Sequence, residues 1–343
     1  MTFSASPTRS RRTPGAKARE VQLRHASPFT EEITMQYRPY RFIGLLLLLL
    51  LFSCNKRTTS PEPPPPGDLI QVTPFGEDNT LEIATWNLET FPKDDGDTIF
   101  DVKEIIRDLD IDIYAVQEIS DDAAFWRLVD SLNAIAPEDR YEGRLNDLAS
   151  FLKTGIIYKR AVVQVLADTH LFVGDYDFAG RPPYALRLKA QKNLRTFDFT
   201  LIVIHLKAFD SSEDRRRRRN AIQKLNAYID NQVLSGADPD FVVAGDWNDR
   251  LEDPPGSNVF GPFLDDTLHY RFLTLPLAGD PDEYSFIGGS FRSLIDHILI
   301  TASIDTLYPG HVTRVLKLDQ EFNAYESEVS DHRPVASKFP VFP

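Results

Sequence analysis

From Leu81 onward the chain alternates between two hydrophobic rhythms. Val102, Ile105, Ile106 and Leu109 recur at the three- and four-residue spacing of one helix face. Phe125, Leu128, Val129 and Leu132 do the same, as do Ile222, Leu225, Tyr228, Ile229 and Val233. Each set predicts an amphipathic surface helix whose apolar stripe packs on a core. Between them lie short β-rich runs: LEIATW at 81–86, DIYAV at 112–116, GIIY at 155–158, FTLIVI at 199–204, FVVAG at 241–245, LIDHILI at 294–300 and PVASKF at 334–339. Their length and composition predict strands. Mixed order of this kind indicates an α/β protein with at least one large sheet.

The informative positions are the ends of these strands. Asn87 follows the first run, Gln117 and Glu118 the second, His205 the fourth, and Asp246, Trp247 and Asn248 the fifth. Asp331 and His332 precede the last run, and Asp296 sits inside its own. Polar groups that repeatedly terminate apolar strands lie where open sheets carry their functional loops. Few of these residue types are expected to be buried.

Other residues have plainer explanations. Asn87 also suits a turn. In a strand His297 points to the opposite face from Asp296, which makes it a structural histidine. His170, His269 and His311 have no motif around them and read as surface or packing residues. Trp86 and Trp247 read as core anchors. The run Arg215 to Arg219 opens a helix just after Asp210, Glu213 and Asp214, so a solvated helix face is expected, with one or two arginines turned toward a site.

The amino end is an address rather than a fold. Phe42 to Phe52 is an eleven-residue apolar run preceded by Arg38 and Arg41, the pattern of a secretory signal and too short to span a bilayer. It ends at Ser53-Cys54, which resembles the bacterial lipobox, so Cys54 is the expected lipidation site and the only cysteine in the chain. Residues 1–34 are Ser-, Arg- and Pro-rich and are expected to be disordered or untranslated, with Met35 as an alternative start and 35–54 as the signal. Residues 55–68 form a Pro-rich spacer, and 69–343 are expected to be one domain. The product would be exported and held at the membrane by its lipid alone, on the periplasmic or outer side. A monomer is expected.

Charge restricts the substrate. The net charge is −13, but the first 54 residues carry 8 Lys and Arg against 3 Asp and Glu, leaving 30 against 48 beyond them. The working domain therefore lacks the basic footprint of a non-specific nucleic-acid binder, and a polyanionic substrate must be held at a local site with metal cations. One cysteine also excludes an intrachain disulfide and a Cys-based zinc site.

WNLE at 86–89, QE at 117–118, HLK at 205–207, GDWND at 245–249, IDHI at 295–298 and SDHRPV at 330–335 occur in order along the chain. In that order and rough spacing they resemble the endonuclease/exonuclease/phosphatase superfamily, typified by pancreatic deoxyribonuclease. The resemblance implies a four-layer αββα sandwich, two mixed β-sheets packed face to face with helices outside. It also implies phosphoester cleavage with Mg²⁺, or with Mn²⁺ or Ca²⁺. It makes Glu118 the principal metal carboxylate, with Asn87 and Asp331 beside it. Asp246 and Asn248 would orient or activate water and hold the phosphate. His332, oriented by Asp296, and His205 would contact the phosphoryl oxygens. Arg181 and Lys207 resemble positions beside the cleft that contact substrate.

Elementary chemistry agrees with such a set. Hard cations take oxygen ligands and Mg²⁺ needs only one or two carboxylates, while a histidine backed by a carboxylate is pushed toward its charged form. The expected activity is a nuclease on DNA or RNA. The alternatives are the same chemistry on a small or lipid-derived phosphoester, of the sphingomyelin or inositol phosphate type, and an inactive surface binding module.

Overall fold

The computed structural model describes residues 70–343. The expectations for 1–34, for the signal with Cys54 and for the spacer lie outside the described residues.

The strands are β1 (Leu81–Phe91), β2 (Ile113–Ile119), β3 (Tyr141–Leu145), β4 (Lys153–Lys159), β5 (Val163–His170), β6 (Tyr184–Lys192), β7 (Arg195–His205), β8 (Phe241–Asp246), β9 (Tyr270–Phe272), β10 (Asp296–Thr301), β11 (Val312–Val315) and β12 (Val335–Phe339). They form two six-stranded sheets, in the orders β11-β12-β1-β2-β4-β3 and β5-β6-β7-β8-β10-β9. Both are mixed, because β1 and β2 run parallel in the first and β7 and β8 in the second, while the other neighbours are antiparallel.

Period-two alternation builds the layers. On β7, Leu201 and Val203 face the other sheet, where they meet Leu81 and Ile83 of β1 and Ile113 of β2 in one buried cluster. Ile202 and Ile204 face outward onto Ile222, Leu225 and Ile229 of helix α3 (Ser212–Leu234). On β1, Ala84 and Trp86 face outward onto helices α1 (Asp95–Leu109) and α2 (Asp122–Ile135), through Val102, Ile105, Phe125 and Leu128. Three apolar cores separate four layers, the αββα sandwich.

All three predicted helices form. The α2 start is fixed by Asp121, whose carboxylate accepts from the amides of Ala123 and Ala124, and the α3 start by Ser211, whose hydroxyl accepts from the Asp214 amide. Val233 departs from expectation, since it is exposed on the last turn of α3 rather than part of its packed stripe. Strands β3, β5, β6, β9 and β11 carry no apolar run of their own. On β6, Leu186, Leu188 and Ala190 are buried while Arg187 is exposed, and pairing with β7 along its whole length sets the strand.

Candidate active site

On four strands the face that builds the inter-sheet core ends in a polar residue at one end of the sandwich. On β1 the inward series Leu81, Ile83, Thr85 leads to Asn87, on β7 Leu201 and Val203 lead to His205, and on β8 Val242 and Ala244 lead to Asp246. β10 runs the other way and begins at Asp296 before Ile298 and Ile300. Register puts His205, Asp246 and Asp296 side by side across three neighbouring strands. Gly245 permits this approach, since a Cβ there would sit 2.1 Å from the Ile204 carbonyl oxygen.

Glu118 does not obey the alternation. Ile113 and Ala115 face the inter-sheet core, which places Glu118 on the other face of a regular β2. A register irregularity between Val116 and Ile119 and a left-handed backbone at Glu118 (φ 62°) turn it into the cluster. Its Oε1 accepts from Asn87 Nδ2 at 3.3 Å and its Oε2 from the Thr90 amide at 3.0 Å. Glu89, Thr90 and Asn248 are also left-handed (φ 42°, 58° and 55°), so the ends of β1 and β2 and the loop after β8 all hold strained backbone. Strain of this kind costs on the order of 1–3 kcal/mol per residue and concentrates at functional sites.

Contrary to expectation, most of the strand-end polar groups are buried: Asn87, His205, Asp246, Asp296 and His332. They remain charged or bonded because they partner one another. His332 Nδ1 lies 2.8 Å from Asp296 Oδ2. Burial alone would lower the His332 pKa, but the attraction of Asp296, with Asp246 and Asp331 adding, raises it to about 10. Burial, reinforced by Asp296, raises Asp246 to about 7, and burial with Glu89 and Glu118 raises Asp331 to about 6. His205 is driven well below its ordinary value by burial, then by Arg181 and His332, and is neutral.

Asp246, Asp296 and His332 each present an atom within 4.8 Å of the others, a spacing a metal could use. A protonated imidazole has no lone pair to give, so this trio is better suited to acid–base work than to ligation. A hard cation could be held beside it. Glu118 lies near enough to both Asp246 and Asp331 to add to the raising of their pKa values, and Asp296 Oδ1 is buried without a hydrogen bond. An all-oxygen donor set with surplus negative charge fits Mg²⁺ or a similar ion.

Asn87, beside Glu118 at the strand ends, is held by hydrogen bonds at both ends of its amide. Its Oδ1 accepts from the Glu89 amide at 2.9 Å, which fixes the amide orientation, and its Nδ2 donates to Glu118 and, at 3.1 Å, to Asp246. It orients the carboxylates as a donor. Asn248 Nδ2 donates to the Leu206 carbonyl, and its backbone amide donates to Asp246 Oδ1 at 2.9 Å.

Arg181 is buried and spends Nε and Nη2 on the carbonyls of His205 and Leu206, so it pins the end of β7. Lys207 is tied to Asp214 at 3.2 Å. Both still line a cavity of about 540 Å³ that opens beside Glu118 and His205.

The arginine run corrects the solvated-face expectation in part. Arg218 is buried, paired with Asp249 at 2.8 Å, and donates to the carbonyls of Lys207 and Phe209; Arg217 is buried against Tyr176. Sequence reasoning also passed over Glu89, which accepts from the Asp331 amide at 2.7 Å, and Ser330, whose hydroxyl donates to the Asn87 carbonyl at 2.6 Å. Both stood inside the quoted motifs. His297 is structural, bonded to Thr274 Oγ1 and to the Asp249 carbonyl, and burial lowers it to about 4. Trp86 and Trp247 are fully buried, bonded to the Tyr325 hydroxyl and the His297 carbonyl.

The model of the endonuclease/exonuclease/phosphatase family matches residues 84–332. Comparison with curated proteins gives no match. Among solved structures, D. rerio TDP2 complexed with single strand DNA product is similar at 15% identity and a TM-score of 0.54, covering 76% of this chain and 99% of that one. The human Nocturnin catalytic domain with bound sulfate anion is similar at 18% identity and a TM-score of 0.53, covering 77% and 95%. An endonuclease/exonuclease/phosphatase from Bacteroides vulgatus is similar at 18% identity and a TM-score of 0.52, covering 76% and 98%. At such identities the likeness is one of fold. The matched span takes in every strand-end residue described above, and the chain belongs to the endonuclease/exonuclease/phosphatase family, a metal-dependent hydrolase of phosphoester bonds.

Proposed function

We propose that this hydrolase is a nuclease that cuts phosphodiester bonds of DNA or RNA with Mg²⁺, Mn²⁺ or Ca²⁺. The observation that carries the reading is the buried imidazolium–carboxylate pair His332–Asp296 set against Asp246, whose carboxyl is raised to about 7. Asp246 holds the attacking water and takes its proton as the water oxygen bonds to phosphorus. The P–O bond to the leaving group breaks, and that oxygen takes a proton from solvent, giving a phosphomonoester and an alcohol. His332 places a fixed positive charge on the non-bridging oxygens as negative charge develops there, and Asp296 keeps it protonated and oriented. Neutral His205 donates a hydrogen bond to the same group. Glu118 and Asp331 would hold the cation, which supplies Lewis-acid neutralisation of the phosphate when bound. Asn87 keeps Glu118 and Asp246 apart and oriented. No side chain serves as a covalent nucleophile.

Nucleic acid is favoured over other phosphoesters by the cavity beside Glu118, where Arg181, Lys207 and Arg217 each lie against an aromatic ring. The similar D. rerio structure complexed with single strand DNA product supports the same choice. We further propose that Cys54 carries a lipid that holds the exported enzyme at a membrane surface.

The test is hydrolysis of single-stranded DNA, duplex DNA, RNA, sphingomyelin and inositol phosphates with each cation. Cleavage of a nucleic acid that EDTA abolishes is expected, and Glu118→Gln should lower it and raise the cation concentration needed. Hydrolysis confined to sphingomyelin or inositol phosphates would refute the nuclease reading.

A further inference from the structure

The cavity beside Glu118 and His205 is walled by three aromatic rings, Phe151, Tyr176 and Phe209, that come from three separate loops. They are 54%, 62% and 78% exposed. The loops around them hold left-handed backbone at Leu152, Ala179 and Phe209 itself (φ 46°, 55° and 73°). The carbonyl of Phe209 is fixed by the buried guanidinium of Arg218 at 2.6 Å. Three exposed rings gathered at one cavity on tethered, left-handed backbone form a patch rather than scattered surface residues.

Each ring also carries a cation. Arg217 lies 3.9 Å from the Tyr176 centroid, Lys207 4.5 Å from that of Phe209 and Arg181 5.5 Å from that of Phe151. Paired aromatic and cationic groups beside a phosphoester site make a surface for a flat π-face joined to a phosphate. A cationic choline headgroup needs open ring faces, and each of these rings already has a cation against it. The cations are also unsuited to a long phosphate track, because Arg181 is spent on carbonyls, Lys207 on Asp214 and Arg217 on the Tyr176 carbonyl.

We infer that Phe151, Tyr176 and Phe209 form a stacking platform for an unpaired nucleobase flanking the scissile phosphate, so that the enzyme selects single-stranded over duplex nucleic acid. This rests on the nuclease reading and deepens it. Bases inside a duplex bury their faces against one another and cannot reach the rings, whereas a strand end or single strand can. With few free cations, recognition depends on stacking more than on counterion release.

The experiment uses the full chain and labelled oligonucleotides of one sequence: single-stranded, duplex, and single-stranded with abasic sites flanking the cut. Anisotropy in EDTA reads binding without turnover, and kcat/KM with Mg²⁺ reads cleavage. Single strand should bind and be cut at least about tenfold better than duplex or abasic strand. Phe209→Ala and Tyr176→Ala should each lose about 5- to 100-fold on the intact strand through Kd and KM, the range of base–aromatic stacking, and lose nothing on the abasic one. Tyr176→Phe should restore binding. Affinity should fall less than about tenfold between roughly 50 and 200 mM salt. Nuclease activity indifferent to base and to these rings would overturn the platform alone. Hydrolysis of sphingomyelin or inositol phosphates with neither binding nor cleavage of any oligonucleotide would overturn the nuclease reading and the platform together.

Discussion

His332 Nδ1 lies 2.8 Å from Asp296 Oδ2, and the two come from strands of different sheets' neighbourhoods, Asp296 opening β10 and His332 preceding β12. The contact ties the second sheet to the first at the reaction centre and makes the two residues one unit. His332→Ala should lower turnover about 10²- to 10⁴-fold, the range for losing an acid–base or charge-stabilising group. Asp296→Asn/His332→Ala should be little worse than His332→Ala alone, since residues acting together cannot be lost twice. Multiplying losses in steady-state kinetics would separate their roles.

The same pair sets the alkaline limit of activity. Asp296 raises His332 to about 10, so its charged form persists through neutral pH and is lost only as pH rises toward that value. Asp296→Asn removes the attraction and leaves the burial, so the alkaline limb of kcat should move to lower pH. A pH–rate profile that keeps its alkaline limb in the variant would remove His332 as the charged group.

Arg218 and Asp249 form a buried pair that joins α3 to the loop after β8. Arg218→Ala leaves Asp249 buried without its partner, a loss of about 3–5 kcal/mol for pairs of this kind. Denaturant unfolding should show a lower midpoint. An unchanged midpoint would mean that the pair contributes no stability.

Glu82 gives a pH dependence of stability far from the active site. Burial, with Asp112 adding, raises it to about 8, above its ordinary value near 4.5. The folded state therefore holds a proton that the unfolded state releases, so this contribution is full below about pH 4.5 and is lost as pH rises through 8. Glu82→Gln should gain in melting temperature relative to wild type across that window, and a constant gap from pH 5 to 8 would contradict it.

Lipidation at Cys54 is testable in a bacterial host. The wild type should incorporate labelled fatty acid and partition with membranes, and Cys54→Ser should do neither. Equal labelling of both would remove the anchor.

What the sequence by itself determined is whatever depends on local period. The helix stripes, the central strands and the polar residues closing Leu81–Asn87, Leu201–His205 and Val242–Asp246 are written in three- and two-residue repeats that chain neighbours enforce. The same alternation separated His297 from Asp296. Only the tertiary structure decided what depends on partners distant in the chain. Strands without an apolar run, such as β6, take their form from hydrogen bonds to their neighbours β5 and β7. Glu118 reaches the site because an irregularity in β2 breaks the alternation. Asn87 meets Glu118 and Asp246, its hydrogen-bond acceptors, only because the two sheets bring distant strands together. Arg218 is buried because Asp249 and two loop carbonyls close around it. Burial of the whole polar cluster follows from the same cause, since side chains that would each be costly to bury alone satisfy one another once two sheets bring them together.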